Sequence, residues 1–173
     1  FCGTELLEDE IDCDKCKHPS EVFDTTTMVN LFQLTQMDDY SNEEFVREMV
    51  VHYSPVEGYK CDSCGQLVDG KRRYVICTLP KIFVVGFNIY NIQDVPRKSY
   101  KFPMSYNMIL DGKKVTYKLN AIIHHSGSLD GGHYVASCLR NDGKFYLFND
   151  MNVTEVQIDP IPENYLLFYC ERF

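Results

Sequence analysis

The chain has 173 residues, of which 45% are hydrophobic, 24% charged and 13% aromatic, with a formal net charge of −8. That length supports one domain with a real core, and the balance is that of a soluble globular protein. The acidic balance argues against nucleic acid or an anionic membrane as partner and suits a partner with a basic face, and no run reaches the ~20 apolar residues a membrane-spanning helix needs.

The start, Phe1-Cys2-Gly3-Thr4, has no initiator Met and no signal-peptide pattern, and reads as the cut end of a longer or processed chain. Residues 1–12 predict a short strand and turn, leading into a tight knuckle, Cys13-Asp14-Lys15-Cys16. Residues 21–36 are rich in β-branched and aromatic residues and predict a strand in one or two pieces. Ser41 with Glu44 three residues on forms a capping box. Phe45 with Met49, and Val46 with Val50, then give a helical apolar stripe that should end near Val51, before Pro55 and Gly58.

Cys61-Asp62-Ser63-Cys64-Gly65 is a second knuckle, and Asp69-Gly70 reads as a hairpin turn. Tyr74 to Leu79 and Lys81 to Tyr90 are apolar runs broken by Pro80, read as central strands with Cys77 as core. Asn91 to Lys98 reads as a loop, and 115–125 and 165–172 as further strands, the last sealing the sheet.

The stretch Gly131-Gly132-His133-Tyr134-Val135-Ala136-Ser137, followed by Asn141-Asp142-Gly143 and the aromatic run Phe145 to Phe148, predicts a β-hairpin. Three loop residues ending in Gly suit a type I turn with Gly in the left-handed position. Arg140 then faces Lys144, Val135 faces Asn149, and His133 lies diagonally across from Asn149 on the same face. Such neighbours sit ~7–8 Å apart at the backbone, within side-chain reach. A two-residue loop would shift the register by one and put the two side chains on opposite faces. The hairpin thus presents a His beside an Asn, two thirds of a Cys-His-Asn arrangement. A His in a strand is also commonly just a satisfied or exposed imidazole.

Among the 8 cysteines, two Cys-x-x-Cys pairs, Cys13/Cys16 and Cys61/Cys64, fit a tetrahedral structural zinc of ribbon type. Four thiolates leave no open position for substrate, and redox pairing is the alternative. This pattern points to an intracellular, reducing compartment, cytoplasm or nucleus, rather than to secreted disulfides.

Together these stretches resemble the ubiquitin-specific protease family of papain-like cysteine deubiquitinases. The match runs through Phe1-x-Gly3, Cys13-x-x-Cys16 with Ser20 and Phe23, Cys61-x-x-Cys64, and Thr78-Leu79-Pro80-Lys81-Ile82-Phe83-Val84-Val85. It continues through Tyr117-x-Leu119-x-Ala121-Ile122-Ile123-His124-His125-Ser126-Gly127, Gly131-Gly132-His133-Tyr134, Phe148-Asn149-Asp150 with Val153, and Tyr165 to Tyr169. The resemblance implies an α+β, mostly antiparallel fold. Residues 1–78 would be mainly zinc-binding fingers with one helix near 42–51, and 79–173 the palm, all part of one catalytic domain. It implies His133 as general base, Asn149 as its orienting partner, and Asp150 as an adjacent polar residue assisting the transition state. Gly131, Gly132 and Tyr134 would border a narrow cleft for the Gly-Gly tail of ubiquitin. Gly86 to Tyr90 and Phe145 depart from the family's usual residues.

The family's nucleophile segment, an Asn-x-Gly-Asn-x-Cys type box on a helical thumb, has no counterpart here. Cys138 lies five residues from His133 on one predicted strand and should face away from it. Two readings follow: the fingers and palm of a thiol deubiquitinase whose thumb is supplied in cis or in trans, or a ubiquitin-binding pseudo-protease or scaffold without the nucleophile.

Overall fold

The computed structural model describes residues 5–12, 15–16, 19–26, 28–30, 39–87, 99–128 and 131–171. Its elements are β1 (Glu5–Asp12), β2 (Pro19–Thr26), β3 (Val29–Asn30), α1 (Asn42–Val50), β4 (Val51–Lys60), β5 (Leu67–Ile76) and β6 (Ile82–Gly86). They continue with β7 (Ser105–Leu110), β8 (Lys113–Ser128), β9 (Gly131–Leu139), β10 (Phe145–Asn149), β11 (Asn152–Val156) and β12 (Asn164–Glu171). The mostly antiparallel α+β architecture expected from the sequence is what forms. The expected Cys13 half of the first knuckle, the strand reading over 31–36 and the loop over 91–98 lie outside the described residues.

The helix begins where the capping box puts it. Glu44 N–H donates to Ser41 Oγ at 3.2 Å and Ser41 N–H donates back to Glu44 Oε2 at 2.7 Å, satisfying two backbone donors at once. Phe45 is fully buried and meets the rings of Phe87, Tyr106 and Tyr169 at 6.4–6.5 Å between centroids. Burial of such a ring contributes about 1.5–3 kcal/mol. This pins the helix to the aromatic core of the larger sheet, with Phe83, Tyr117 and Leu119.

The smaller sheet runs β2-β1-β5-β4. Pro55 and Gly58, expected just beyond the end of the helix, lie inside β4. The strand survives because it is an edge, where a residue without an N–H is tolerated, and because the register shifts between Val56 and Tyr59. Gly58 takes φ +62° there, and its N–H donates to Asp69 Oδ1 at 2.8 Å. Asp69-Gly70 is therefore not a turn, which corrects the sequence reading: both residues lie within β5. The chain reverses instead at the cysteine knuckle itself, where Gly65, at φ +69°, donates to Cys61 O at 2.7 Å.

The larger sheet runs β11-β10-β9-β8-β12-β6-β3, with β7 also paired to β8. Every pairing is antiparallel except β3 with β6. The strand read as the sheet's seal, β12, inserts between β8 and β6 in its middle. Two strands passed over in the sequence, β7 and β11, are added by two-residue turns. Asp111-Gly112 (φ +49° and +76°) joins β7 to β8, and Asp150, at φ +49°, begins the turn into β11. No helix among the described residues is long and apolar enough to cross a membrane.

Candidate functional site

The β9–β10 hairpin has the predicted loop. Gly143 takes φ +81° and donates to Arg140 O at 3.0 Å, and Arg140 N–H donates to Lys144 O at 2.9 Å. Asp142 braces the turn by accepting from Lys144 N–H at 3.1 Å and from Tyr146 Oη at 2.8 Å. The register pairs Leu139 with Phe145 and Ala136 with Phe148, so Val135 stands opposite Asn149. His133 Nε2 lies 2.8 Å from Asn149 Oδ1. An amide oxygen accepts, so Nε2 carries the proton in this bond and Nδ1 of the neutral ring is left as the acceptor. Asp150 places Oδ2 3.9 Å from the same Nε2, beyond hydrogen-bond distance.

His133 stands at a cleft of about 280 Å³. Val135, Leu147, Val156, Ile158 and Ile161 give it apolar walls, and its floor holds a group the sequence reading did not single out. His124 Nε2 lies 2.8 Å from Ser137 Oγ, and His124 Nδ1 lies 2.8 Å from Asn164 Oδ1. All three residues are buried. Burial holds the His124 pKa below the ordinary imidazole range, against smaller opposing effects of the Asn164 bond and the Glu163 charge. The signal available in the sequence was the adjacent pair His124-His125, whose members must face opposite sides of one strand.

The other side of β9 is different. Tyr134 follows His133 and faces the opposite way, its ring 4.4 Å from that of buried His125 and 6.2 Å from Tyr165. Gly132 is required by the fold: a Cβ there would run into the His125 ring and Ser126 O. At Gly131 a Cβ would meet open space. Cys138 is half-buried on the Tyr134 side, and burial pushes its thiol pKa up. Among the described residues no cysteine lines the cleft.

Far along the chain from this cleft, the knuckle gathers thiols. The sulfurs of Cys16, Cys61 and Cys64 lie within 4.8 Å of one another, with Cys16 and Cys61 3.7 Å apart. That exceeds the ~2.05 Å of a disulfide and matches the edge, about 3.8 Å, of a tetrahedron with ~2.3 Å metal–sulfur bonds. Three soft donors in this geometry can hold a metal ion. Cys13, the expected fourth ligand, lies outside the described residues.

The chain is 30% identical over 184 residues to the probable ubiquitin carboxyl-terminal hydrolase 8 of Schizosaccharomyces pombe, covering 99% of this chain and 38% of that protein. It is 25% identical over 183 residues to human ubiquitin carboxyl-terminal hydrolase 31, covering 86% of this chain and 13% of that protein. The chain thus spans well under half the length of these relatives. Its fold matches the SAGA Ubp8/Sgf11/Sus1/Sgf73 DUB module bound to ubiquitin aldehyde, with TM-score 0.70 and 22% identity over 98% of this chain and 41% of the other. A second structure of the Ubp8-Sgf11-Sgf73-Sus1 SAGA DUB module matches all of this chain and 40% of its own, with TM-score 0.70 and 21% identity. The sequence profile of the ubiquitin carboxyl-terminal hydrolase (UCH) family matches residues 4–169, and this chain, with the papain-like fold of the ubiquitin-specific proteases, belongs to that family.

Proposed function

We propose that this chain is the base-bearing part of a thiol deubiquitinase that hydrolyses the bond after the C-terminal Gly-Gly of ubiquitin. The observation that carries the reading is the 2.8 Å contact between His133 Nε2 and Asn149 Oδ1 at an open cleft in a chain of this family. Asn149 fixes the tautomer, so Nδ1 is the atom aimed at a substrate or nucleophile. It would take the proton of a cysteine thiol, the resulting imidazolium would stabilise the thiolate, and the thiolate would attack the scissile carbonyl. The imidazolium would then return the proton to the leaving amine. Asp150 adds negative charge beside the ring, and Asn149, being neutral, orients without that charge.

The nucleophile is supplied from outside this sequence, by a thumb segment in cis or in trans. In this reading residues 79–173, which carry every strand of the larger sheet except β3, act as the palm. The smaller sheet, within 1–78, acts as fingers that grip the body of ubiquitin. Gly131 and Gly132 border the entry of its tail, while Tyr134, also expected there, faces the other side of β9 against His125. Cys13, Cys16, Cys61 and Cys64 would hold one zinc ion whose part is structural, fixing the tip of the smaller sheet. Thiol ligands of this kind suit an intracellular setting, in cytoplasm or nucleus.

The test is hydrolysis of a ubiquitin C-terminal fluorogenic substrate. The full-length protein should turn it over and the 173-residue chain alone should not. Turnover by the chain alone, abolished by changing Cys77, Cys138 or Cys170, would make that cysteine the nucleophile. Ubiquitin binding by the full-length protein without any cleavage would establish the pseudo-protease instead.

A further inference from the structure

We propose that His124 is a positioning residue of the cleft: with Ser137 and Asn164 it forms a buried polar rung across β9, β8 and β12 that holds the 157–163 segment as the outer wall facing His133, and so sets the width of the channel that receives the substrate's tail. The inference rests on the reading of His133 and Asn149 given above.

The rung is built from three strands. His124 lies on β8, paired with Val135 of β9 on one side and with Asn164 of β12 on the other. Its ring lies 2.8 Å from Asn164 Oδ1 on β12 and 2.8 Å from Ser137 Oγ on β9. The proton positions follow from the far end. Asn164 Nδ2 donates to Asp159 O at 3.3 Å, so Asn164 Oδ1 must be the acceptor for His124 Nδ1–H. The neutral ring then has Nε2 as an acceptor, and the Ser137 hydroxyl donates to it. Each donor in this relay meets an acceptor, and its last acceptor is the backbone of the wall.

The wall needs such an anchor. Residues 157–163 carry Pro160 and Pro162 and have no regular structure, so few of their backbone groups can join a ladder. Besides the Asn164 side chain, two backbone bonds tie them to the sheet, Asn164 N–H to Ile161 O at 3.1 Å and His125 N–H to Glu163 O at 2.8 Å, and Ile158 packs against the core at the segment's start. Yet Gln157, Ile158, Asp159, Ile161 and Glu163 form one side of the cleft. A buried imidazole with two polar partners is a costly way to fill a sheet face, since losing either partner leaves a desolvated polar atom. An aliphatic side chain would fill the space without that liability, but could not carry the wall.

The experiment compares the full-length protein with His124→Leu, His124→Gln and Ser137→Ala, by steady-state hydrolysis of the fluorogenic ubiquitin substrate and by amide hydrogen exchange. His124→Leu should raise KM about 10-fold with kcat within about 2-fold, the pattern of lost binding rather than lost chemistry. Exchange should quicken in 158–164 but not in the β9–β10 hairpin. His124→Gln keeps one donor and one acceptor and should recover most of the difference. Ser137→Ala, which removes one bond and little volume, should show the same KM change at about 3-fold, and it decides the matter if His124→Leu does not fold. Unchanged KM, a loss confined to kcat, exchange rising uniformly over the chain, or Gln behaving like Leu would each overturn the proposal. If the unmodified full-length protein does not hydrolyse the substrate, the deubiquitinase reading fails, and the exchange pattern alone still decides whether the rung holds the wall.

Discussion

His133 Nε2 stands 2.8 Å from Asn149 Oδ1 although Val135, not His133, faces Asn149 across the strands. The contact is diagonal, and it exists because the Asn141-Asp142-Gly143 loop has three residues. The relationship is therefore as sensitive to the length of a distant turn as to either side chain.

For the catalytic pair this gives a graded expectation. In the full-length protein, His133→Ala should lower kcat/KM by about 10³-fold or more, the scale of a lost general base. Asn149→Ala should cost less, about 10- to 100-fold, because orienting a base contributes less than being the base. Deleting Asp142 should match His133→Ala in activity, since a one-residue register shift turns Asn149 to the other face. Rates are read with the ubiquitin fluorogenic substrate, with circular dichroism to check that the sheet is retained.

The two adjacent glycines should behave differently. Gly131→Ala meets open space, so it should leave the thermal midpoint within about 2 °C while raising KM if the substrate tail passes there. Gly132→Ala must displace the His125 ring or the Ser126 carbonyl and should destabilise the protein by about 1–3 kcal/mol, the range for overpacking. Thermal melts and kinetics of both variants separate clearance for substrate from clearance for the fold.

At the thiol cluster, elemental analysis of protein purified without chelator should find one zinc per chain. Binding at such sites contributes about 10–16 kcal/mol of apparent free energy at neutral pH. A chelator, or Cys61→Ser, should therefore open the 61–66 turn to proteolysis while leaving the β9–β10 hairpin protected. Zinc-free protein with an intact turn would show that the buried Cys61 and Val68 suffice to close it.

Buried His124 predicts a pH dependence of stability. Its folded-state pKa lies below the ordinary 6.5 because burial disfavours the charged ring. The unfolded chain therefore binds the proton first as pH falls, and this group's contribution, full above about 6.5, is lost progressively down to the folded-state pKa. Urea unfolding between pH 7.5 and 5 should show stability falling with pH, and His124→Gln should flatten that slope. An identical slope in the variant would assign the dependence to other groups.

Several features were legible in the residues because they depend on short-range rules. The Ser41–Glu44 capping box needs only four consecutive positions. The hairpin register follows from the three residues between Arg140 and Lys144. Once it is set, strand alternation decides that His133 and Asn149 share a face while Cys138 does not. The pairing of Cys16 with Cys61 and Cys64 was legible as chemistry, since matched knuckles require one another wherever the chain runs between them.

What the tertiary structure alone decided depends on which distant strands become neighbours. Asp69-Gly70 has the composition of a turn, but Gly58 on the opposing strand bulges to meet the Asp69 side chain, and β5 runs straight through. Pro55 looks like a strand breaker until β4 proves to be an edge. Neither His124 nor Asn164 carries a local signal of partnership, being forty residues apart. Only the insertion of β12 beside β8 brings them together, and only then does the floor of the cleft exist.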